Sequence, residues 1–139
     1  MTHTETIQAH GHENVSAEHA STFEVTSDDF LTPAGDCILA IGADRTPADF
    51  AGAFVAACRD ADATITVTLD TDEHADRIEA RGDPDLSFES DRSLVGRTSD
   101  YVDDRTVAVE ADKAARDLDS DLVAALADGA PLTVTLTVE

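Results

Sequence analysis

The chain repeats itself. The run IQAHGHENVSAEHASTFEVTSDDF beginning at Ile7 aligns with IEARGDPDLSFESDRSLVGRTSDY beginning at Ile78, 71 residues later. The match continues in order: Ala43-Asp44-Arg45 corresponds to Ala111-Asp112-Lys113 at an offset of 68, and TITVTLD from Thr64 to TVTLTVE from Thr133 at an offset of 69. Self-similarity at this period restricts the fold to two copies of one unit. Copy one covers about residues 5–71 and copy two about 76–139. Each copy is a control on the other, because a residue type found in only one of them is not demanded by the shared architecture.

Each copy reads as strand, strand, strand, helix, strand. The elements fall at about residues 4–11, 15–26, 37–43, 47–60 and 64–70, and again at about 75–82, 86–97, 105–111, 114–128 and 132–138. Phe50, Phe54 and Cys58 recur four apart, as one helix face requires, behind a capping Thr46 and a first-turn Pro47. Leu118, Leu122 and Leu126 repeat the stripe. Strand, helix and strand in succession predict a right-handed parallel crossover in each copy. Residues 70–74 predict a turn that makes a hairpin with the first strand of copy two.

Burial sets the register of the opening hairpin, since a slip of one residue moves every side chain to the other face. Ile7, Ala9 and Gly11 belong on the core face with Val15, Ala17, Phe23 and Val25, which predicts a three-residue loop at His12-Glu13-Asn14. Copy two then sets Ile78 and Ala80 against Leu86 and Phe88 across Asp83-Pro84-Asp85. The fold expected is one α+β domain over residues 1–139, a tandem β-β-β-α-β unit giving about eight strands and two helices. A pseudo-twofold axis relates the copies, with the helices on one side of a sheet or barrel.

Charge bears on environment. Asp and Glu number 30 against 9 Lys and Arg, a formal net charge of −21, and Lys113 is the sole lysine beside eight arginines. Such a chain suits concentrated salt, where a Debye length of about 3 Å screens the self-repulsion of its carboxylates. We read it as halophilic, expected to weaken in low salt. The longest apolar run, CILAIGA from Cys37, is far shorter than a membrane span, and the first residues carry no apolar signal segment. A cytoplasmic protein is the expectation. Cys37 and Cys58 have no metal-type spacing, and that compartment disfavours a disulfide.

The motifs GHENVSAEHASTFEVT, LTPAGDCI and ADR or ADK before a helix resemble the archaeal family catalogued as domain of unknown function 371. The resemblance covers residues 7–139. It implies a two-copy architecture and carries no assigned activity. Two departures stand out: Asp83 in copy two where copy one has His12, and Arg45 where an ADK-like motif would have Lys.

Several constellations could carry chemistry. His3, His10, His12 and His19 crowd the first 19 residues. Of these, His10 and His12 with Glu18 and Asp36 form the candidate divalent-metal set, in which a bound metal would polarise water for a hydrolase-like reaction. Against it, copy two replaces His10, His12 and His19 with Arg81, Asp83 and Ser90. The loop at residues 31–37 (LTPAGDC) is three residues longer than its counterpart. It is a candidate ligand loop, with Gly35 in a positive-φ turn, Asp36 and Cys37. Asp44 with Arg45, and Asp112 with Lys113, stand where a strand meets a helix N-terminus, the pattern of a paired anion site. Their bland reading is two capping carboxylates. Cys58 falls on the helix stripe as a core residue.

Five basic residues, Arg77, Arg81, Arg92, Arg97 and Arg105, share 29 residues with eight acids. The hairpin register sets Arg77 across from Asp91 and Arg81 diagonal to Glu89, so cross-strand pairing rather than nucleic acid accounts for them. No phosphate-binding glycine loop and no nucleophile with its base is present. The leading reading is a non-enzymatic ligand-binding or interaction module of a halophilic archaeal cytoplasm, whose ligand or protein partner is unknown and which could be a homo-oligomer. The alternatives are the metal-dependent hydrolase-like enzyme and a subunit of a protein complex contributing an exposed sheet edge.

Overall fold

The computed structural model describes residues 2–139. Eight strands form two four-stranded sheets, with two α-helices, in an α+β arrangement. The strands are β1 (His3–His10), β2 (Thr22–Thr26), β3 (Ile38–Ala40), β4 (Thr64–Asp70), β5 (Ala75–Arg81), β6 (Ser93–Arg97), β7 (Thr106–Ala108) and β8 (Pro131–Val138). The helices are α1 (Gly52–Cys58) and α2 (Ser120–Ala127). One sheet has the order β1-β8-β4-β5, the other β3-β2-β6-β7. Exchanging β1–β4 with β5–β8 leaves both orders unchanged, so a pseudo-twofold passes between β4 and β8 and between β2 and β6.

Alternation dictates which faces meet. In β1 the buried positions are Glu5, Ile7 and Ala9; in β4 Ile65, Val67 and Leu69; in β8 Leu132, Val134, Leu136 and Val138. Except for Glu5, which is buried but polar, these side chains are apolar and face Phe23 and Val25 of β2, Leu94 of β6 and the helix residues Phe54, Cys58, Leu122 and Leu126 in one core. Phe50, Phe54 and Phe88 meet within it at centroid separations of 5.5–6.1 Å.

The opening hairpins do not form. β1 pairs with β8 and β5 with β4, both antiparallel, while β2 and β6 pair with each other in the second sheet. The residues placed on the core face are nonetheless buried there: Ile7, Ala9, Ile78 and Ala80 from one sheet, Phe23 and Val25 from the other, and Gly11, Val15, Ala17, Leu86 and Phe88 from connecting segments that form no strand. The turn at residues 70–74 does join β4 to β5, closed by the Thr71 N–H donating to the His74 carbonyl at 2.9 Å. The crossover is also corrected. β3 and β4 lie in different sheets, so α1 bridges between sheets, and the parallel pairs are β2 with β3 and β6 with β7.

Each long helix expected from the sequence is a 3-10 turn followed by a shorter α-helix. Asp49 reaches back to accept the N–H of Thr46 at 2.9 Å, and Asp117 accepts that of Ala114 at 2.9 Å. These bonds close turns at Pro47–Asp49 and Ala115–Asp117, after which Phe50 and Leu118 are extended. The helix resumes at α1 and α2, the latter capped by Asp119, which accepts from the N–H groups of Asp121 and Leu122.

The two sheets are stitched at both edges. His10 and Ile41 exchange backbone hydrogen bonds of 3.0 and 2.8 Å, and Arg81 and Val109 do the same at 2.8 and 3.0 Å. The edge groups of β1 and β5 that a partner strand would use are thus engaged within the chain at these positions.

Candidate functional site

The seams explain the ADR and ADK motifs. The Asp44 N–H donates to the Gln8 carbonyl at 2.9 Å, and its carboxylate accepts the Gln8 N–H at 2.9 Å. Asp112 treats Glu79 identically, at 2.9 and 3.0 Å. Each aspartate imitates a strand residue and extends a seam by one pair.

The cations of the candidate anion site face carboxylates of the chain itself. Arg45 pairs with Glu5 at 2.6 Å, and the same Glu5 accepts the Ala51 N–H at the start of α1 at 2.8 Å. In copy two, Lys113 pairs with Asp76 at 2.6 Å, and Asp76 accepts the Asp119 N–H at 2.9 Å. Glu5 and Asp76 therefore occupy the position that an external anion would take. Burial works to raise the Asp76 carboxyl, but Lys113 and the N–H groups of Asp119 and Arg77 outweigh it and hold it below the usual range.

The candidate metal residues are dispersed. His10 lies against Gly42 at the seam, its Nδ1 donating to the Gly11 carbonyl at 2.9 Å. His12 Nδ1 accepts the Asn14 N–H at 3.0 Å; in copy two the Asp83 carboxylate accepts the Asp85 N–H at 2.8 Å, so the two residue types serve one turn. His19 Nδ1 accepts from the N–H groups of Ser21 and Thr22, as the Ser90 hydroxyl does from Arg92 and Ser93. Glu18 and Asp36 meet through backbone, the Glu18 N–H donating to the Asp36 carbonyl at 3.0 Å. Among the described residues no group of three His, Cys, Asp or Glu side chains is placed to hold a metal ion. The set His10, His12, Glu18 and Asp36 does not converge: a seam contact holds His10, a turn contact holds His12, and Glu18 and Asp36 meet through main chain.

In the loop at residues 31–37, Gly35 is not one of the positive-φ glycines, which are Gly42 and Gly129. Its role is space: a Cβ there would crowd Leu31 and Ile38. Burial, with the Glu24 carboxylate beside it, pushes the Cys37 thiol up to about 11, which removes the thiolate that nucleophilic chemistry needs. Burial alone pushes Cys58 up to about 12.

All five clustered arginines have carboxylate partners, though not those expected from the hairpin register. Arg77 pairs with Glu79, Arg81 with Glu110 at 4.0 Å, and Arg92 with Asp28 at 2.7 Å. Arg97 and Arg105 converge on Asp103 at 2.9 and 3.3 Å. Burial would raise Asp103, yet the Arg105 N–H, the Thr106 hydroxyl and the Arg97 charge bring it down to about 2.

An open groove of about 480 Å³ runs between the β4–β5 turn and α2, lined by Asp72, Glu73, His74, Asp121 and Asp128 among others. Its carboxylates are exposed.

The features not recognised in the sequence are Phe30 and Tyr101. They are the exposed large hydrophobic side chains of the described residues, at 56% and 60%. They lie 71 residues apart, at equivalent places in the loops after β2 and β6. Each stands before an inward anchor, Leu31 or Val102. Each loop is fastened by the other copy. Arg92 grips Asp28 through two bonds of 3.0 and 2.7 Å to one oxygen, and the Ser21 carbonyl accepts from the N–H and hydroxyl of Thr98 at 2.9 and 3.0 Å. Arg97 stacks over Tyr101 at 4.8 Å from the ring centroid. The signal was available, since the repeat alignment ends on this pair and the chain has six Phe and Tyr in all.

These features define a small α+β protein of two interlocked β-β-β-α-β units that presents matched aromatic loops. The chain belongs to the family described as Domain of unknown function (DUF371), whose model matches residues 7–139. It is also similar to "Uncharacterized protein MJ0206" of Methanocaldococcus jannaschii, 37% identical over 132 residues, covering 95% of this chain and 97% of that one.

Proposed function

We propose that the protein is a non-enzymatic interaction module of a salt-rich archaeal cytoplasm that engages a macromolecular partner through the Phe30 and Tyr101 loops. The carrying observation is that, with six Phe and Tyr in the chain, the two left exposed are equivalent by the repeat. Exposing an aromatic ring is unfavourable in water, and rigid aromatic anchors held in place before contact are what interfaces use. The cross-copy bonds to Asp28 and Thr98 supply that preorganisation, which lowers the entropy lost on binding. No membrane span competes with this reading, as no helix among the described residues is long and apolar enough to cross a membrane. The charge of −21 supports the salt adaptation.

The test is affinity purification in molar KCl of the wild type beside a Phe30→Ala, Tyr101→Ala variant. The module reading expects a partner retained in stoichiometric amount by the wild type and lost by the variant, whose melting temperature falls by no more than the lost Arg97–Tyr101 stacking explains. Equal retention by both forms would move the interaction elsewhere.

A further inference from the structure

The outer face of the β1-β8-β4-β5 sheet carries three rows of side chains fixed by strand register. Across the strands these are Thr4, Thr137, Thr66 and Glu79; Thr6, Thr135, Thr68 and Arg77; and Gln8, Thr133, Asp70 and Ala75. Both central strands thus present threonine at every position of these rows except Asp70. On a chain with 30 carboxylates this is an extended uncharged surface. Charges on this face lie at its margins: at β5, where Arg77 and Glu79 neutralise one another, at Asp70, and at one end, where Arg81 and Glu139 flank Thr64. At one end Thr133 donates to the Gln8 side chain at 2.9 Å. Among the described residues, the hydroxyls of Thr6, Thr66, Thr68 and Thr135 make no hydrogen bond within the chain, so they can serve a facing surface.

We infer that this threonine face is where a second copy of the chain docks, sheet against sheet. Two polyanions repel wherever their acidic surfaces meet, and this face lets two copies approach while their carboxylates stay at the periphery. The pseudo-twofold between β4 and β8 crosses its centre, so the surface has nearly the same shape from either end, and a closed pair needs a self-complementary patch. Short, branched side chains on a regular pleat suit face-to-face sheet packing at about 10 Å. Four strands spaced about 4.8 Å, two of eight residues and two of seven, cover about 480 Å² per copy, about 950 Å² in total, close to the lower limit for a specific pair. The dimer is therefore concentration-dependent, and salt strengthens it by screening the acidic flanks. This inference stands independently of the aromatic loops.

Sedimentation velocity in molar KCl, from micromolar to near-millimolar protein, tests it. The wild type should shift from monomer to dimer as concentration rises, with a dissociation constant that increases at least tenfold on dilution of the salt while the fold persists. Thr68→Glu with Thr135→Glu sets like charges at the centre and should leave a folded monomer with Phe30 and Tyr101 untouched. Because glutamate could disturb the strands, a second variant uses Thr135→Cys with Cys37→Ser. On mild oxidation it should give a disulfide-linked dimer that Asp62→Cys with Cys37→Ser does not. A wild type that is monomeric throughout, a dimer that survives the two glutamates, or absence of the selective cross-link would overturn the assignment. So would a monomeric protein whose threonine face instead retains a different chain.

Discussion

Gly11 lies directly against the main-chain carbonyl of Leu126, at the end of the other copy's helix, and Gly82 stands in the same relation to Cys58. A Cβ at either glycine would collide with that carbonyl. The Asp83 N–H donates to the Cys58 carbonyl at 3.0 Å, so this approach also satisfies a group that the helix end leaves free. The two copies interlock here, each helix finishing on the other's glycine.

Gly11→Ala and Gly82→Ala should each destabilise the protein by about 2 kcal/mol or more, because main chain must move to admit the methyl group. Gly52→Ala is the control: nothing lies near its Cβ position, and the change should be neutral or stabilising by up to about 1 kcal/mol. Denaturant melts in molar KCl measure all three.

Lys113→Met should cost about 1–2 kcal/mol, since it removes a charge-assisted bond from Asp76, discounted because the ammonium is partly solvated. The Asp76 carboxyl should titrate higher in the variant. Lys113→Arg should recover part of the loss. A variant as stable as wild type would show that the Asp119 and Arg77 N–H groups hold Asp76 unaided.

Asp103 supplies the pH dependence. Its folded value, about 2, is below the unfolded carboxylate value of about 3.9. The folded state thus favours the ionised form. The resulting stabilisation is fully present above the unfolded value and is lost as pH falls from about 4 through about 2. Asp103→Asn should reduce stability near neutral pH and flatten the stability profile over that acid interval. An unchanged acid profile in the variant would assign the transition to other carboxylates.

The face of each strand was legible from alternation, whereas its partner was not. Ile7 and Phe23 are core residues whether they share a hairpin or face one another from two sheets, so burial alone could not choose. The last strands show the same degeneracy. The Gly82 N–H meets the Ala63 carbonyl and the Gly11 N–H meets that of Ala130, making Thr64 equivalent to Pro131 at an offset of 67 and not to Thr133. A shift of two residues preserves the inward and outward faces, and the TVT repeats match in either register.

The candidate site was less legible. His12 and Asp83 look chemically unlike but accept the same turn N–H, and the value of Asp44 lies in a backbone contact with Gln8 from a distant strand. Glu5, which engages Arg45, is 40 residues away from it in sequence. Such partnerships exist only after the strand order is known.

The most direct test of the interaction-module account places a photo-reactive phenylalanine analogue at position 30 and, separately, at position 101, with position 62 as the exposed control. After irradiation in cells grown in high salt, the account predicts a discrete adduct with the same partner chain from positions 30 and 101 and none from 62. No adduct from either aromatic position, or the same adducts from position 62, would contradict it.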